Sequence, residues 1–274
     1  MSCTDKSLKY LKQFGYNVVR LPRTDISPLQ LFCKANGRLE PLGEITGLLN
    51  PGVNIKLPAI KRDEQMAAIS GEQTGGLSLE VGLSILGNIL GAMAGTKIGL
   101  DAQYKNASKL TFEFRDVLGD SVDIIELDKF LNDAGANSFS KHILEKLNDD
   151  EIYLITSVIK SKTIGVDASD EHDASVSVDA SAISQALGPK IGTKIDASNS
   201  SKITYSGQQE LVFGFKAIRL VYELGKYVEF ETVKEGGSPL GLAGSNDDGK
   251  EYKLLLNNQM IDYNPVISEH EKGD

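Results

Sequence analysis

The chain has 274 residues, of which 41% are hydrophobic and 24% are charged. This balance excludes a fully disordered chain and a bundle of transmembrane helices. The net charge of −9 argues against a nucleic-acid partner. Two cysteines and no recognisable secretory signal predict that the intact protein resides in the reducing cytoplasm.

The first thirty residues predict three short elements. Apolar residues at three-residue spacing predict a helix over residues 8–14, and the next six residues, 16–21, predict a strand. Ser27 and Pro28 are typical of a helix cap and a first-turn proline, so they predict the start of a second helix.

The later chain mixes both kinds of element. Residues 121–147 predict two helices around a central turn, and residues 211–222 alternate in the manner of a core strand. Strands mixed with a few helices predict an α+β fold, with a twisted and mostly antiparallel sheet surrounded by helices.

Two regions, residues 77–105 and 163–205, place apolar residues at alternate positions on both sides of an apolar, glycine-containing tip. A period of two predicts amphipathic strands, and the recurrence of the plan predicts two long hairpin regions. The alternating apolar residues are Leu77, Leu79, Val81, Leu83, Ile85, Ile98, Leu100, Ala102, Tyr104, Ile164, Val166, Val176, Val178, Ile191 and Ile195.

Two interpretations of this pattern compete. One is a soluble antiparallel sheet with a single buried face and a buried apolar helix at residues 82–94. The other is a set of switchable strands that cross a membrane, since about 9–11 alternating residues suffice for one crossing. Four strands cannot enclose a lumen, so a pore would require many copies of the chain.

The chain ends in a linker and a short tail. Residues 236–249 are small, polar and glycine-rich, which predicts an exposed, protease-sensitive linker. The tail, residues 250–274, is too poor in apolar residues to fold alone and should dock on the body, residues 1–235. Residues 236–274 carry a net charge of −4 and residues 1–64 carry +4, which favours a contact between the two ends.

No constellation of catalytic or metal-binding residues is recognisable. The three histidines, His142, His172 and His270, are far apart and share no metal-ligand spacing. Neither cysteine has a neighbouring histidine that would make it a nucleophile. The sequence therefore predicts a protein that is not an enzyme and needs no metal or cofactor.

Cys3 follows Met1 and Ser2 and precedes the predicted basic helix, a placement typical of acylated anchoring cysteines. An unmodified terminal thiol is the alternative.

Three stretches, residues 16–29, 83–95 and 104–107, resemble the bacterial gasdermins, and the likeness covers most of residues 1–235. The resemblance implies a gasdermin-like pore-forming domain of antiphage defence, held inactive by the C-terminal segment. A caspase-like or other protease would cut the linker. The freed domain would then pass from monomer to large homo-oligomer, insert in the lipid of the inner membrane and kill the infected cell. It also implies palmitate on Cys3.

The resemblance does not fix the cut or the inhibitory contacts. Leu240 and Leu242 lie among small residues and are the first candidates for the cut, whereas Asp247 and Asp248 would suit an aspartate-specific protease. The apolar residues expected to hold the tail in place are Tyr252, Leu254, Leu255, Leu256 and Ile261.

A second hypothesis remains open. The chain would then be a lipid-tethered, non-enzymatic binding or signalling scaffold whose hairpins never insert. Dye release from liposomes by intact and cut chain separates the two hypotheses.

Overall fold

The structure, a computed structural model, describes residues 15–35, 38–71, 73, 76–94, 100–136, 141–149, 151–187, 194–197, 201–223, 226–232 and 255–256. The strands among them are β1 (Asn17–Arg23), β2 (Gln30–Ala35), β3 (Arg38–Glu44), β4 (Leu49–Asn50), β5 (Ile60–Gln65), β6 (Leu77–Ser78), β7 (Lys109–Arg115), β8 (Leu118–Val122), β9 (Gly135–Ala136), β10 (Ile152–Ser169), β11 (Lys194–Ala197), β12 (Lys202–Glu223), β13 (Lys226–Thr232) and β14 (Leu255–Leu256). The helices are α1 (Ile45–Leu48), α2 (Leu79–Ala94), α3 (Ile124–Asp133), α4 (Lys141–Asn148) and α5 (Ala180–Leu187).

Two long antiparallel strands, β10 and β12, form the spine of the molecule. They pair from Tyr153 opposite Arg219 to Asp167 opposite Lys202. Around them, twelve of the described strands make one sheet along the path β1-β12-β10-β2-β3-β14, with further pairings branching from β10 and β12. The predicted α+β fold with a mostly antiparallel sheet is confirmed.

Helix α3 illustrates how the surrounding helices are fixed. Asp123 precedes it and accepts hydrogen bonds from the backbone N–H groups of Ile125 and Glu126, which caps the helix. Leu127, Phe130 and Leu131 share one face and are fully buried against the sheet. The prediction of two helices over residues 121–147 is confirmed by α3 and α4.

The strand predicted over residues 77–85 is wrong for this structure beyond Ser78, because α2 begins at Leu79. The sequence of residues 77–90 fits both the period of two of a strand and the period of a helix. Leu86, Ile89 and Leu90 recur at helical spacing and are fully buried, so the helix covers more apolar surface than an edge strand would. The alternative of a buried helix at residues 82–94 lies within α2.

The strand predicted over residues 98–105 is also wrong where the chain is described, since residues 100–106 form turns. The backbone N–H of Tyr104 donates to the carbonyl of Leu100, and both side chains are buried. Ala102 and its neighbour Asp101 are exposed.

Residues 174–180 do not form the predicted strand either. A single bridge joins Ser175 to Ser169, and α5 begins at Ala180. Asp179 accepts hydrogen bonds from the N–H groups of Ser181 and Ala182, so local capping favours the helix.

The helix predicted from Ser27 is wrong because Leu29 has a φ of 71°, which no right-handed helix tolerates. The chain turns there and enters β2. The predicted strands over residues 16–21 and 211–222 are confirmed by β1 and β12.

Candidate functional site

Four neighbouring strand segments form what we term the amphipathic sheet: β7, residues 163–169 of β10, residues 202–206 of β12, and β11. They pair in the order β7-β10-β12-β11, each antiparallel to the next. Every second side chain points to the same apolar core. These residues are Leu110, Phe112, Phe114, Ile164, Val166, Ala168, Ile203, Tyr205 and, partly buried, Ile195.

The apolar face of the amphipathic sheet is covered by α2, by the turn of residues 100–107 and by α5. Leu86 and Ile89 of α2, Tyr104 of the turn and Ile183 of α5 are all at most 1% exposed in this one core. The cover is close-fitting, because a Cβ atom added at Gly82 would lie 2.8 Å from Cβ of Leu110. The segments that were predicted as membrane strands but form helix, turn or loop here therefore cover the apolar face of the strands that the structure contains.

The predicted apolar residues divide into three groups. Ile164, Val166 and Ile195 lie in strands as predicted, and Leu77 lies in β6 opposite Leu110. The remaining described residues lie in helix, turn or loop: Leu79, Val81, Leu83 and Ile85 in α2, Leu100, Ala102 and Tyr104 in turns, and Val176 and Val178 between Ser175 and α5. Ile98 and Ile191 lie outside the described residues.

A buried pair of hydroxyls ties the turn to the sheet. The hydroxyl of Tyr104 lies 2.8 Å from that of Tyr205. Burial raises the pKa of Tyr104 to about 12 and raises that of Tyr205 as well, so both stay neutral and share one hydrogen bond.

The opposite face of the amphipathic sheet is polar. Glu113 of β7 accepts a 2.8 Å hydrogen bond from Nε of Arg115, and its other oxygen lies 2.7 Å from Nζ of Lys202 on β12. Gly165 of β10 lies between them, so no side chain separates the pair. The hydrogen bond from Arg115, with support from Lys202, lowers the pKa of Glu113 to about 2.

The amphipathic sheet ends at a bulge. Ser161 pairs with Leu211 and Thr163 with Ser206, so residues 207–210 of β12 lie opposite Lys162 alone. The ladder of backbone pairing between β10 and β12 is interrupted here.

A cluster of charged residues lies beside the bulge, on the side away from the amphipathic sheet. Nζ of Lys160 lies 2.7 Å from Asp63, 3.0 Å from Asp120 and 3.2 Å from Glu210, on three different strand segments. Burial lowers the pKa of Lys160, but the hydrogen bonds to these carboxylates outweigh burial and raise it. The same contact lowers the pKa of Asp63.

Sequence reasoning missed both the Lys160 cluster and the Tyr104–Tyr205 pair. The residues in direct contact are 40 to 101 positions apart in the sequence, and no local spacing connects them. The sequence itself shows only that Lys160 directly follows the mostly apolar run of residues 152–159.

The tail reaches the body at one described place. β14 runs parallel to β3, with Leu255 opposite Arg38 and Leu256 opposite Leu39. β14 therefore occupies the free edge of β3, at the end of the main strand path.

Several predicted residues lie outside the described residues. They are Cys3, Leu240, Leu242, Asp247, Asp248, Tyr252, Leu254 and Ile261. Within the described ranges, no group of three or more histidine, cysteine, aspartate or glutamate residues has the geometry of a metal site. The helices found in these ranges all fall short of the length and apolarity that a membrane crossing demands.

Comparison with known proteins places the chain in a family. Residues 19–235 match the model of the Bacterial Gasdermin Family. Gasdermin bGSDM of a Desulfuromonadales bacterium is 46% identical over 261 residues, which cover 95% of this chain and 98% of that protein. Gasdermin bGSDM of Vitiosangium sp. (strain GDMCC 1.1324) is 37% identical over 229 residues, 83% of this chain and 85% of that protein.

A solved structure supports the fold. The bacterial gasdermin from Bradyrhizobium tropiciagri superposes with a TM-score of 0.59 and 16% sequence identity, covering 83% of this chain and 91% of that one. The resemblance inferred from residues 16–29, 83–95 and 104–107 is confirmed. The chain belongs to the bacterial gasdermin family, whose members are pore-forming proteins.

Proposed function

We propose that this chain is an autoinhibited pore-forming protein whose activation requires loss of the C-terminal segment, residues 250–274. A cut within residues 236–249 releases the domain of residues 1–235. The released copies oligomerise and insert β-hairpins into the inner membrane, which kills the phage-infected cell. The intact chain is cytoplasmic, and the activating enzyme is a caspase-like or other protease.

One observation carries the proposal: the apolar faces of the formed strands continue in phase into the segments that cover them. In β7 the buried residues have even numbers, and so do Leu100, Ala102 and Tyr104 before it. In β10 the buried side chains are even-numbered from Ile164 onwards, with only a glycine buried at position 165, and Val176 beyond the strand is even-numbered too. Extension of these strands would therefore place both apolar series on one face without a register slip. The two series are separated by Asn106 and Ser108 before β7 and by Asp170 and His172 after β10.

The apolar faces of β12 and β6 also continue in phase into neighbouring segments. Ile203 and Tyr205 of β12 have odd numbers, as do the earlier Ile191 and Ile195. Leu77, which faces the same core, begins the odd series of residues 77–85. Extended strands over residues 98–115 and 163–180 would exceed the roughly 9–11 residues that a tilted membrane strand needs.

The tail is suited to prevent the segments that cover the sheet from converting into extended strands. An exposed edge strand pairs readily with another chain, and β14 covers such an edge on β3. The linker keeps the tail at a high local concentration, and a cut converts it into a peptide that can dissociate. Loss of residues 250–274 also removes a net charge of −2, which favours approach to anionic lipid.

Palmitate on Cys3 would hold the released domain at the bilayer. Each buried methylene adds about 0.8 kcal/mol of membrane affinity, and a second signal is needed for stable anchoring. The basic residues 1–64 can supply that second signal. Replacement of Cys3 by serine should weaken membrane association of the cut chain in a flotation assay.

Dye release from anionic liposomes tests the proposal. A site for a specific protease is introduced within residues 236–249, and the intact and cut chains are compared at equal concentration. Leakage from the cut chain alone supports the pore. No leakage from a verified cut sample that has bound the liposomes would overturn it and favour the lipid-tethered scaffold.

A matched pair of variants sharpens the test. Ala102 and Asp101 are adjacent and exposed in this fold, but only position 102 falls on the apolar face of an extended strand. A lysine that faces lipid near the bilayer midplane costs about 2–4 kcal/mol. Ala102→Lys should therefore suppress leakage by the cut chain, whereas Asp101→Lys should preserve it.

A further inference from the structure

The extended strands of the proposed function are longer than one membrane crossing. Residues 98–115 and 163–180 would each extend about 60 Å, or about 40 Å across a bilayer at a tilt near 45°. The hydrocarbon core of a bilayer is about 30 Å thick. Part of each strand must therefore lie outside the hydrocarbon, and polar residues on the apolar face indicate which part.

Two polar residues interrupt the apolar face of each strand. We term these four residues the polar belt: Asn106 and Ser108 before β7, and Asp170 and His172 after β10. In the structure β7 and β10 pair as far as Lys109 opposite Ser169. Continuing this register by one residue places Ser108 opposite Asp170. Continuing it by three residues places Asn106 opposite His172, so the two interruptions lie side by side when the strands extend.

The two flanking strands differ at this level. Continuing the register of β10 with β12 places Asn199, which lies outside the described residues, opposite Asp170. Continuing that of β6 with β7 places Leu79 opposite Ser108. An apolar residue among lipid headgroups costs little, whereas a charged side chain in hydrocarbon is costly. The charged and polar members of the wall therefore decide its level in the bilayer.

In the uncut chain the polar belt lies where the sheet ends. β7 begins at Lys109 and β10 ends at Ser169. The carboxylate of Asp170 accepts hydrogen bonds from the backbone N–H groups of His172 and Ala174, and the other three members of the belt are exposed. The belt thus separates the apolar face that is already built from the series that only extension would add.

The apolar residues on the body side of the belt keep partners after extension. Phe114 of β7 stacks on Phe213 of β12, with ring centroids 3.8 Å apart. Both lie in a core that also contains Tyr16 and Ile69. None of these four residues belongs to α2, to the turn of residues 100–107 or to α5. This part of the core can therefore remain in the body when those covering segments leave.

The residues beyond the belt suffice for one crossing. In the continued register, residues 96–105 pair with residues 173–182, and each segment has ten residues. A tilted membrane strand needs about 9–11 residues. The apolar series occupies the even-numbered positions of both segments, and none of these positions carries a charge.

We propose that the polar belt lies at the level of the lipid headgroups, so that only the residues beyond it cross the hydrocarbon. This inference rests on the proposed function. Headgroups and their water offer hydrogen-bond partners to Asp170 and His172, which hydrocarbon lacks. The parts of β7, β10 and β12 that are paired in the uncut chain then stay outside the hydrocarbon, with the body.

Tryptophan fluorescence measures the depth directly, because the chain contains no tryptophan. Asn106→Trp places a probe in the polar belt, and Ala102→Trp places one beyond it on the same face. Lys105→Trp, on the opposite face, is the control. All three positions are exposed in the uncut chain, so its fold should tolerate the substitutions. Each variant is cut at an introduced protease site within residues 236–249 and bound to anionic liposomes, and dye release verifies that pores form.

Phospholipids brominated at different depths locate each probe by quenching its fluorescence. Positions 102 and 106 differ by about 9 Å in depth at a tilt near 45°. We expect bromines near the headgroup to quench Asn106→Trp most strongly, and bromines near the end of the acyl chain to quench Ala102→Trp most strongly. Lys105→Trp should be quenched less than either, because its side chain faces away from lipid. Ser108→Trp and Ala174→Trp, both at exposed positions, form a second pair with the same separation in the continued register and should repeat the result.

The outcomes separate the two proposals. The expected order of quenching supports the belt assignment, and any other order overturns it. Strongest quenching of Asn106→Trp by the deep bromines would place the belt in hydrocarbon, and no quenching by either lipid would place it in water. In both cases the release of dye leaves the proposed function standing. No dye release by the verified cut parent chain at the liposomes overturns both.

Discussion

The hydroxyl of Tyr104 lies 2.8 Å from the hydroxyl of Tyr205, although 101 residues separate them. This bond joins the turn of residues 100–107 to the apolar face that the turn covers. Under the proposed function, it is one of the contacts that must break before the turn can extend into a strand.

The single variants Tyr104→Phe and Tyr205→Phe should each lower the free energy of unfolding by about 1–2 kcal/mol, because each leaves a buried hydroxyl without its partner. The double variant should cost less than the sum of the two. Urea unfolding of all four proteins measures this coupling. Additivity within about 0.3 kcal/mol would contradict a direct bond.

Glu113 should make stability depend on acid pH. Its pKa falls from 4.5 unfolded to about 2 folded, so its contribution is present above pH 4.5 and is lost as the pH falls toward 2. The upper bound is about 3 kcal/mol. Glu113→Gln should lower stability at pH 7 and flatten the decline between pH 5 and pH 2. A variant with an unchanged pH profile would show that Glu113 contributes little through its charge.

Gly82 should resist even a methyl group. Its Cβ would meet Cβ of Leu110 at 2.8 Å, so Gly82→Ala should push α2 from the sheet at a cost of about 1–3 kcal/mol despite the better helix propensity of alanine. Gly47→Ala is the matched control, because nothing lies within 4 Å of that position in α1. Thermal unfolding of both variants gives the comparison. Equal stability of the two variants would mean that α2 accommodates the added methyl group without a cost in stability.

The edge pairing of the tail should restrain the uncut chain. Proline removes the backbone donor that a strand needs, so replacing Leu255 and Leu256 by proline should release β14 from β3. We expect faster dye release by the uncut double-proline variant than by the parent. The double-valine variant keeps both donors and should behave as the parent does. Equal leakage from the proline and parent chains would assign inhibition to other parts of the tail.

Strand periodicity predicted part of the sheet well, but it could not decide between strand and helix at residues 79–94. In β10, Ile164 and Val166 alternate and have antiparallel partners on both sides, so pattern and environment agree. In α2 the odd-numbered residues satisfy a period of two, while Leu86 and Leu90 satisfy a helical period as well. Packing against the formed strands selects the helix.

The long-range contacts cannot be predicted from a single sequence. Lys160 meets three carboxylates because a bulge and two other strands bring them together, and this depends on register between distant segments. Positive φ at Leu29 was equally invisible, since leucine rarely adopts it and a proline before it suggested a helix.

Under the proposed function, the parallel pairing of β14 with β3 has an evolutionary consequence. β13 ends at Thr232 and β14 begins at Leu255, so residues 233–254 connect the body to the paired segment. If inhibition depends on this connection, a break at any peptide bond within it has the same effect. The connecting sequence is then free to diverge, and a lineage can recruit a new protease by changing a few residues there without altering the domain that the protease releases.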